Sequence, residues 1–219
     1  MAYQWDFFTV FTPPEFWIKG ALVTLAYAVA TTFAGCLIGV LLGATLLSRS
    51  RLLHLPVVAY VQLFRCTPLL VQVVWFYYAL PIVLGIDLPA WFAAGIGLSL
   101  YMGAFTTEIV RAGVLSIEAG QWQAALAVGL SRLQALRLVI LPQAARRMVP
   151  PLVSQAVLQT KNTALLSVVA IPELMHRSAI MVSETFRPLE VYTGVAAIYF
   201  VVLFPLVTLS KRLELRSEL

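Results

Sequence analysis

The sequence predicts an all-α, polytopic membrane protein with five transmembrane helices, and three observations lead there. Of 219 residues only 11% are charged and 61% are hydrophobic, and the mean hydropathy is +0.90. A soluble domain carries about 25% charge and about 45–50% apolar residues, so most of this surface does not face water. A soluble chain of this size would have to be nearly all core, which surface-to-volume scaling forbids. Third, long runs lack charge altogether, and several reach the roughly 17–25 residues that a helix needs to cross a bilayer.

The first span is the uncharged run 20–47. Within it Gly35, Gly39 and Gly43 recur every four residues, the small-residue spacing that lets helices approach closely. The second is 66–86, beginning as early as Leu55, with Arg65 inside it or at a bend. Pro56, Pro68 and Pro81 punctuate it; each removes a backbone donor, and neighbouring helices satisfy the freed carbonyls. The third span is 88–107. The fourth joins 148–160 to 162–172 across Lys161, and the fifth is 191–210.

We read residues 1–219 as a single transmembrane domain. Its first 19 residues form an interfacial segment bearing Trp5, Phe7, Phe8, Phe11, Phe16 and Trp17, the aromatic composition of a membrane–water boundary. The opening MAYQWDFF lacks the basic start of a cleaved signal, so the first span is expected to remain as an anchor. Cys36 and Cys66 fall in spans and are expected to be small buried apolar residues, not a disulfide. A short surface helix is expected over 173–190, with His176 solvated and not a metal ligand.

Basic residues orient the chain, because Lys and Arg accumulate in cytoplasmic loops. Arg49 and Arg51 follow span one; Arg111, Arg132, Arg137, Arg146 and Arg147 lie between spans three and four; Lys211, Arg212 and Arg216 follow span five. They outnumber Lys19, Arg177 and Arg187 on the other face. The N-terminus is therefore expected outside and the C-terminus inside, as five spans require. This topology accounts for the net charge of +5, whose expected contact is anionic lipid and not nucleic acid.

No phosphate-binding loop, dinucleotide fingerprint, H-E-x-x-H or serine elbow occurs. Without a catalytic constellation or a metal-ligand set the chain reads as no enzyme. If it moves a solute uphill, the energy comes from a partner or an ion gradient.

The polar stretch 118–147, EAGQWQAALAVGLSRLQALRLVILPQAARR, stands out between apolar runs. Ala, Leu, Gln and Arg favour helix, Gly129 interrupts, and Ser131 can cap a second helix. We expect two short helices joined at a glycine hinge, with Ala124 and Ala125 as a low-profile face and Leu126, Leu130, Leu133 and Leu136 as anchors. Pro142 is expected to end the helix, and Pro150 and Pro151 to restart the next span. The arm either seats in a partner's groove or lies on lipid.

These residues carry a resemblance. Gln123-Ala124-Ala125, three residues, Gly129, nine residues, Val139, one residue and Leu141-Pro142 resemble the cytoplasmic motif of the membrane permease subunits of ABC importers for polar amino acids. That motif has Glu and Ile where this chain has Gln123 and Val139. Residues 65–72, RCTPLLVQ, resemble the family's RGTPLLVQ, with Cys66 for Gly. Residues 108–113, EIVRAG, resemble EIxRGG; residues 161–165, KNTAL, resemble KDTSL; and GALVTL at 20–25 resembles the start of its first helix. The likeness covers about 20–213.

The resemblance implies a permease of the histidine, glutamine, glutamate or arginine type in a bacterial plasma (inner) membrane. It implies a second permease subunit, the same or a related chain, and two ABC ATPase subunits that bind the ATP and magnesium, this chain holding no cofactor. It implies a periplasmic or surface solute-binding protein that delivers a polar amino acid. Gln123, Ala124, Ala125 and Gly129 would form the surface that couples to the ATPases.

Arg65, Glu108 and Lys161 are ionisable at membrane depth, where such residues face a protein interior or a wet cavity. Lys161, Asn162, Thr163, Gln72 and Glu108 are the candidate pathway residues, since a zwitterionic solute needs partners for both its charges. The structural alternative pairs Lys161 with Glu108 or with freed carbonyls, while Arg65 and Glu108 snorkel to the cytoplasmic face. Two rival functions remain: a secondary transporter or channel working without ATPases, which predicts wider internal duplication, and a membrane anchor for a soluble complex.

Overall fold

The glycine stripe of the first span decides how the bundle packs. The computed structural model describes residues 3–47 and 50–217, with side chains to residue 212; Arg49 and the side chain of Arg216 lie outside the described residues. After a short helix α1 (Phe7–Phe11), helix α2 runs Pro14–Leu46. It starts on a proline, whose missing N–H is no loss in a first turn. Gly35, Gly39 and Gly43 are buried against the long helix Ala90–Leu115. A Cβ on each would lie 2.4 Å from Met102, 2.3 Å from Thr106 and 2.6 Å from Val110. The two backbones therefore touch in one parallel register that only glycine permits. The opposite face of α2, including Val29, Phe33, Leu37 and Leu41, is exposed and apolar, as a lipid-facing surface is.

Two parallel helices require the chain between them to return along the bundle. It does so as α3 (Arg51–Cys66) and α4 (Leu69–Leu84), bent by 108°. The second span, expected from as early as Leu55 to 86 with Arg65 inside it or at a bend, is thus a bent helix pair whose break follows Cys66. Pro68 drives Thr67 into extended backbone at φ −108°, ψ 143°, so the helix stops there. The loose carbonyls are then satisfied: Thr67 Oγ1 donates to Leu63 O at 2.7 Å, and Gln72 Nε2 donates to Phe64 O at 2.9 Å and Thr67 O at 3.0 Å. Pro56 and Pro81 sit inside α3 and α4 without ending either.

Helix α5 (Ala90–Leu115) leads into α6 (Ala119–Ala127) and α7 (Arg132–Ala135). A π turn follows at Leu136–Ile140, then α8 (Leu141–Asn162) and a 3₁₀ stretch, Thr163–Val169. Pro142 thus lies inside a helix that it was expected to end: the helix runs on from Arg132 through the π turn, which accommodates the proline. Pro150 and Pro151 lie within α8 and restart nothing. Gln159, fully buried, pins α8 to both neighbours by donating to Thr31 Oγ1 at 2.9 Å and Leu98 O at 3.0 Å.

The segment expected as a surface helix is α9 (Leu174–Thr185), but only one of its faces is exposed. Leu174 and Met181 bury with Val10, Trp17, Val191 and Val195. Buried Glu173 caps it, accepting from Met175 N at 2.8 Å and His176 N at 2.6 Å. Helix α10 (Pro188–Ser217) returns along α8, where the Ser154 and Ser210 hydroxyls bond at 2.8 Å. Cys36 is half-buried and Cys66 exposed, so neither is the buried apolar residue expected. Among the described residues three helices, α2, α5 and α10, are each long and apolar enough to cross a membrane, and two bent pairs bring the number up to five.

Candidate functional site

The hinged arm lies outside the long helices, and its residues divide by face. Ala125 is 4% exposed and Trp122 half-buried. Trp122 packs against the buried apolar cluster that includes Ile117 and Ile140, which Leu136 and Val139 also join. Gln121, Gln123 and Ala124 are exposed. The motif's small residues therefore do two things: Ala125 seats α6 on its own chain, while Gln123 and Ala124 face outward.

A left-handed residue ends α6. Gly129 has φ +87°, and a Cβ there would meet nothing within 4 Å. Its glycine serves backbone angle, not packing, because L side chains avoid this region. Leu130 N bonds Ala125 O at 3.2 Å and Gly129 N bonds Leu126 O at 3.0 Å, the paired closure of a Schellman turn. Ser131 and Gln134 then form the capping box: Gln134 N donates to Ser131 Oγ at 3.3 Å, and Ser131 N to Gln134 Oε1 at 2.9 Å. The expected hinge and cap are both present. Between α6 and α7 an open cleft of about 540 Å³ is lined by Trp122, Leu126, Arg132, Leu133 and Leu136. An apolar cleft beside two outward small and polar residues can receive a protruding partner element.

The five candidate pathway residues do not share one cavity. Lys161 is exposed on the last turn of α8 and makes no ion pair among the described residues. Glu108 pairs with Arg111 on its own helix, so the alternative Lys161–Glu108 pair does not form. Glu108 lines a cleft of about 220 Å³ with His54, Gln62 and Arg111. Gln72 lines a different one, of about 260 Å³, with Thr67, Trp75 and Phe76. The Gln72 amide nitrogen braces the α3–α4 break, while its Oε1 is buried without a partner. Thr163 is buried, donating to Thr160 O at 2.8 Å. Asn162 is half-buried and keeps its Nδ2 buried without a hydrogen-bond partner among the described residues. Arg65 is exposed at the end of α3, 5.6 Å above the Phe105 ring.

Sequence reasoning missed several polar ties. Gln143 reaches Gln121 at 3.2 Å, and Arg147 donates to the Ser116 carbonyl. Gln155 and Gln159 are buried one turn apart on α8, and two glutamines four residues apart in an apolar run were the signal available for them. At the other end of the bundle Arg187 joins Glu190 at 2.9 Å and Asp6 at 4.0 Å, with Tyr3 bonded to Glu190.

Comparison with known proteins places this architecture. Residues 35–217 match the family described as binding-protein-dependent transport system inner membrane component. The glutamine transport system permease protein of Escherichia coli is 34% identical over 217 residues, covering 99% of each chain. A Rickettsia conorii protein named for glutamine transport is 33% identical over 212 residues, covering 96% of this chain and 97% of that one. Among solved structures, an amino acid ABC transporter crystallised with histidines superposes with a TM-score of 0.91 at 30% identity, over 98% of this chain and 100% of that one. The inward-facing methionine ABC transporter shares the fold, with a TM-score of 0.76 at 21% identity over 94% of this chain and 99% of that one. The family match covers most of the chain, the full-length relatives exceed 30% identity, and the hinged arm lies within the matched span: the chain belongs to the binding-protein-dependent transport system inner membrane components.

Proposed function

We propose that this chain is the permease subunit of an ATP-binding-cassette importer that carries a polar amino acid, with glutamine the first solute to test. The observation that carries the reading is the exposed elbow Gln123–Gly129, held at a left-handed glycine outside the long helices. An elbow of that kind has a use only if another chain presses on it. Two ATPase subunits are the partners, one on each elbow of a permease pair, and they hold the ATP and magnesium. A solute-binding protein delivers the amino acid at the opposite end of the bundle.

Nucleotide-driven closure of the ATPases moves α6, and the bundle passes between its two access states. The solute pathway runs along the face that carries exposed Lys161 and half-buried Asn162, which a second permease subunit covers. Thr163 supports that face through its bond to Thr160 O, while Gln72 braces the α3–α4 break.

The test is uptake of labelled glutamine by proteoliposomes holding the chain, its ATPase and its binding protein. Uptake is expected only with internal ATP, and Gly129→Leu is expected to lower it at least about tenfold. The left-handed angle costs a non-glycine residue about 1–2 kcal/mol, and about 1.4 kcal/mol is a factor of ten. Uptake driven by an ion gradient without ATP would instead establish a secondary transporter.

A further inference from the structure

Pro142 removes the N–H that would bond the Leu138 carbonyl in an α-helix. The chain widens into the π turn Leu136–Ile140, closed by Leu141 N–H to the carbonyl of Leu136, five residues back. Single π turns inside helices recur at functional sites. This one lies directly under the arm: α6 contacts the turn, and Trp122 joins the same apolar cluster as Leu136, Val139 and Ile140. The α6 helix therefore rests on the turn, beside an apolar cluster that continues onto α8 through Ala144 and Met148.

One side chain joins all three parts. Gln143, in the first turn of α8, donates its Nε2 to Val139 O inside the π turn at 2.9 Å and to Gln121 Oε1 on α6 at 3.2 Å. Among the described residues no other side-chain hydrogen bond links α6 to α8. Arg147, one turn further along α8, bonds the Ser116 carbonyl at the end of α5, so α8 is tied separately to its neighbour. Beyond them Gln155 and Gln159 carry the helix into the buried interior.

We infer that Gln143 is a positioning residue for coupling: it clamps α6 to the π turn, so that displacement of the elbow is delivered to α8. A π turn holds one residue more than an α turn, and a shift of one residue in register along a helix is a rise of roughly 1.5 Å. Without the clamp α6 slides over the turn on its apolar contacts, and the stroke is lost before it reaches the span. Gln121 and Gln143 act as one unit, because each is the other's partner.

This inference rests on the importer reading, and the experiment separates the two. Wild type, Gln143→Leu, Gln121→Leu and the double variant are purified with the ATPase and reconstituted with the binding protein. Amino acid taken up per ATP hydrolysed is measured, with ATPase retention in the complex recorded for each. Either single variant is expected to lower the ratio about fivefold, the scale of one hydrogen bond, and the double variant to lower it no further than the larger single effect. Gln121 is exposed, so its variant tests the clamp even if Gln143→Leu fails to fold. An unchanged ratio in Gln121→Leu, or additive losses in the double, overturns the clamp. Failure of the wild-type chain to retain an ATPase overturns the importer reading itself.

Discussion

At the residue scale, glycines do unlike jobs in this chain. Gly129 is needed for its backbone angle and touches nothing, whereas Gly39 is needed for its lack of a side chain. A Cβ at position 39 would stand 2.3 Å from Thr106 Cβ on a neighbouring long helix, not on a movable tip. Gly39→Leu is therefore expected to destabilise by at least the 1–3 kcal/mol of an overpacked core, about that range in well-packed proteins. Thermal unfolding of the detergent-solubilised chain reads it as a lower midpoint, and an unchanged midpoint would show that α2 and α5 do not meet there. Gly129→Leu strains only the exposed elbow, so its uptake should fall by more than its smaller midpoint shift accounts for, and the two glycines separate packing from coupling.

At the scale of elements, the sequence announced what local chemistry decides. The Ser131 cap, the Gly129 hinge and the glycine stripe were legible because each depends on residues within a few positions. The α3–α4 break was half legible: Thr67-Pro68 marks the stop, but its 108° angle depends on where α4 finds a partner. The π turn was not legible, since Pro142 in a helix-forming run reads equally as an end or a beginning. Nor was the inward turn of Ala125, which follows from where Trp122 packs.

The N-terminal element shows a similar long-range tie. Asp6 caps α1 by accepting from Thr9 N at 3.0 Å and Thr9 Oγ1 at 2.7 Å. The Thr9 side-chain bond, with the Thr9 amide and Arg187, holds the Asp6 carboxyl below its ordinary 3.8. The hydrogen bond to Glu190 holds the Tyr3 hydroxyl above its ordinary 10.0.

The signs follow from linkage. A lowered carboxyl favours the docked segment above its ordinary value and stops doing so as pH falls through the docked value. A raised phenol favours docking below its ordinary value and stops doing so as pH rises through the docked value. The segment 3–11 should thus stay docked between pH 3.8 and 10.0 and loosen outside that window. Limited proteolysis across pH, in an acid-tolerant and an alkali-tolerant protease, measures it. Equal cleavage of the segment at neutral pH and at both extremes would show that these groups do not hold it.

At the scale of the whole molecule, the bundle is a scaffold with its working parts at its ends. Composition alone made the membrane bundle legible, because 11% charge leaves no other way to cover 219 residues. The pathway was less legible. Lys161, Asn162, Thr163, Gln72 and Glu108 read as one polar group in sequence, yet Gln72 and Glu108 line separate clefts. Their arrangement depends on three different α-helices and the 3₁₀ stretch that holds Thr163, whose packing is set over long sequence distances.

The elbow is different, since every residue of it lies within one short stretch, and it can be tested alone. A cysteine placed at Ala124 (Ala124→Cys, in a chain with Cys36 and Cys66 replaced by Ser) is treated with a short bifunctional cross-linker in the assembled transporter. Phe8→Cys at the opposite end of the bundle serves as control. An adduct with the ATPase subunit from position 124, and none from position 8, is the result expected. No ATPase adduct at 124, or an equal one at 8, would contradict the coupling elbow.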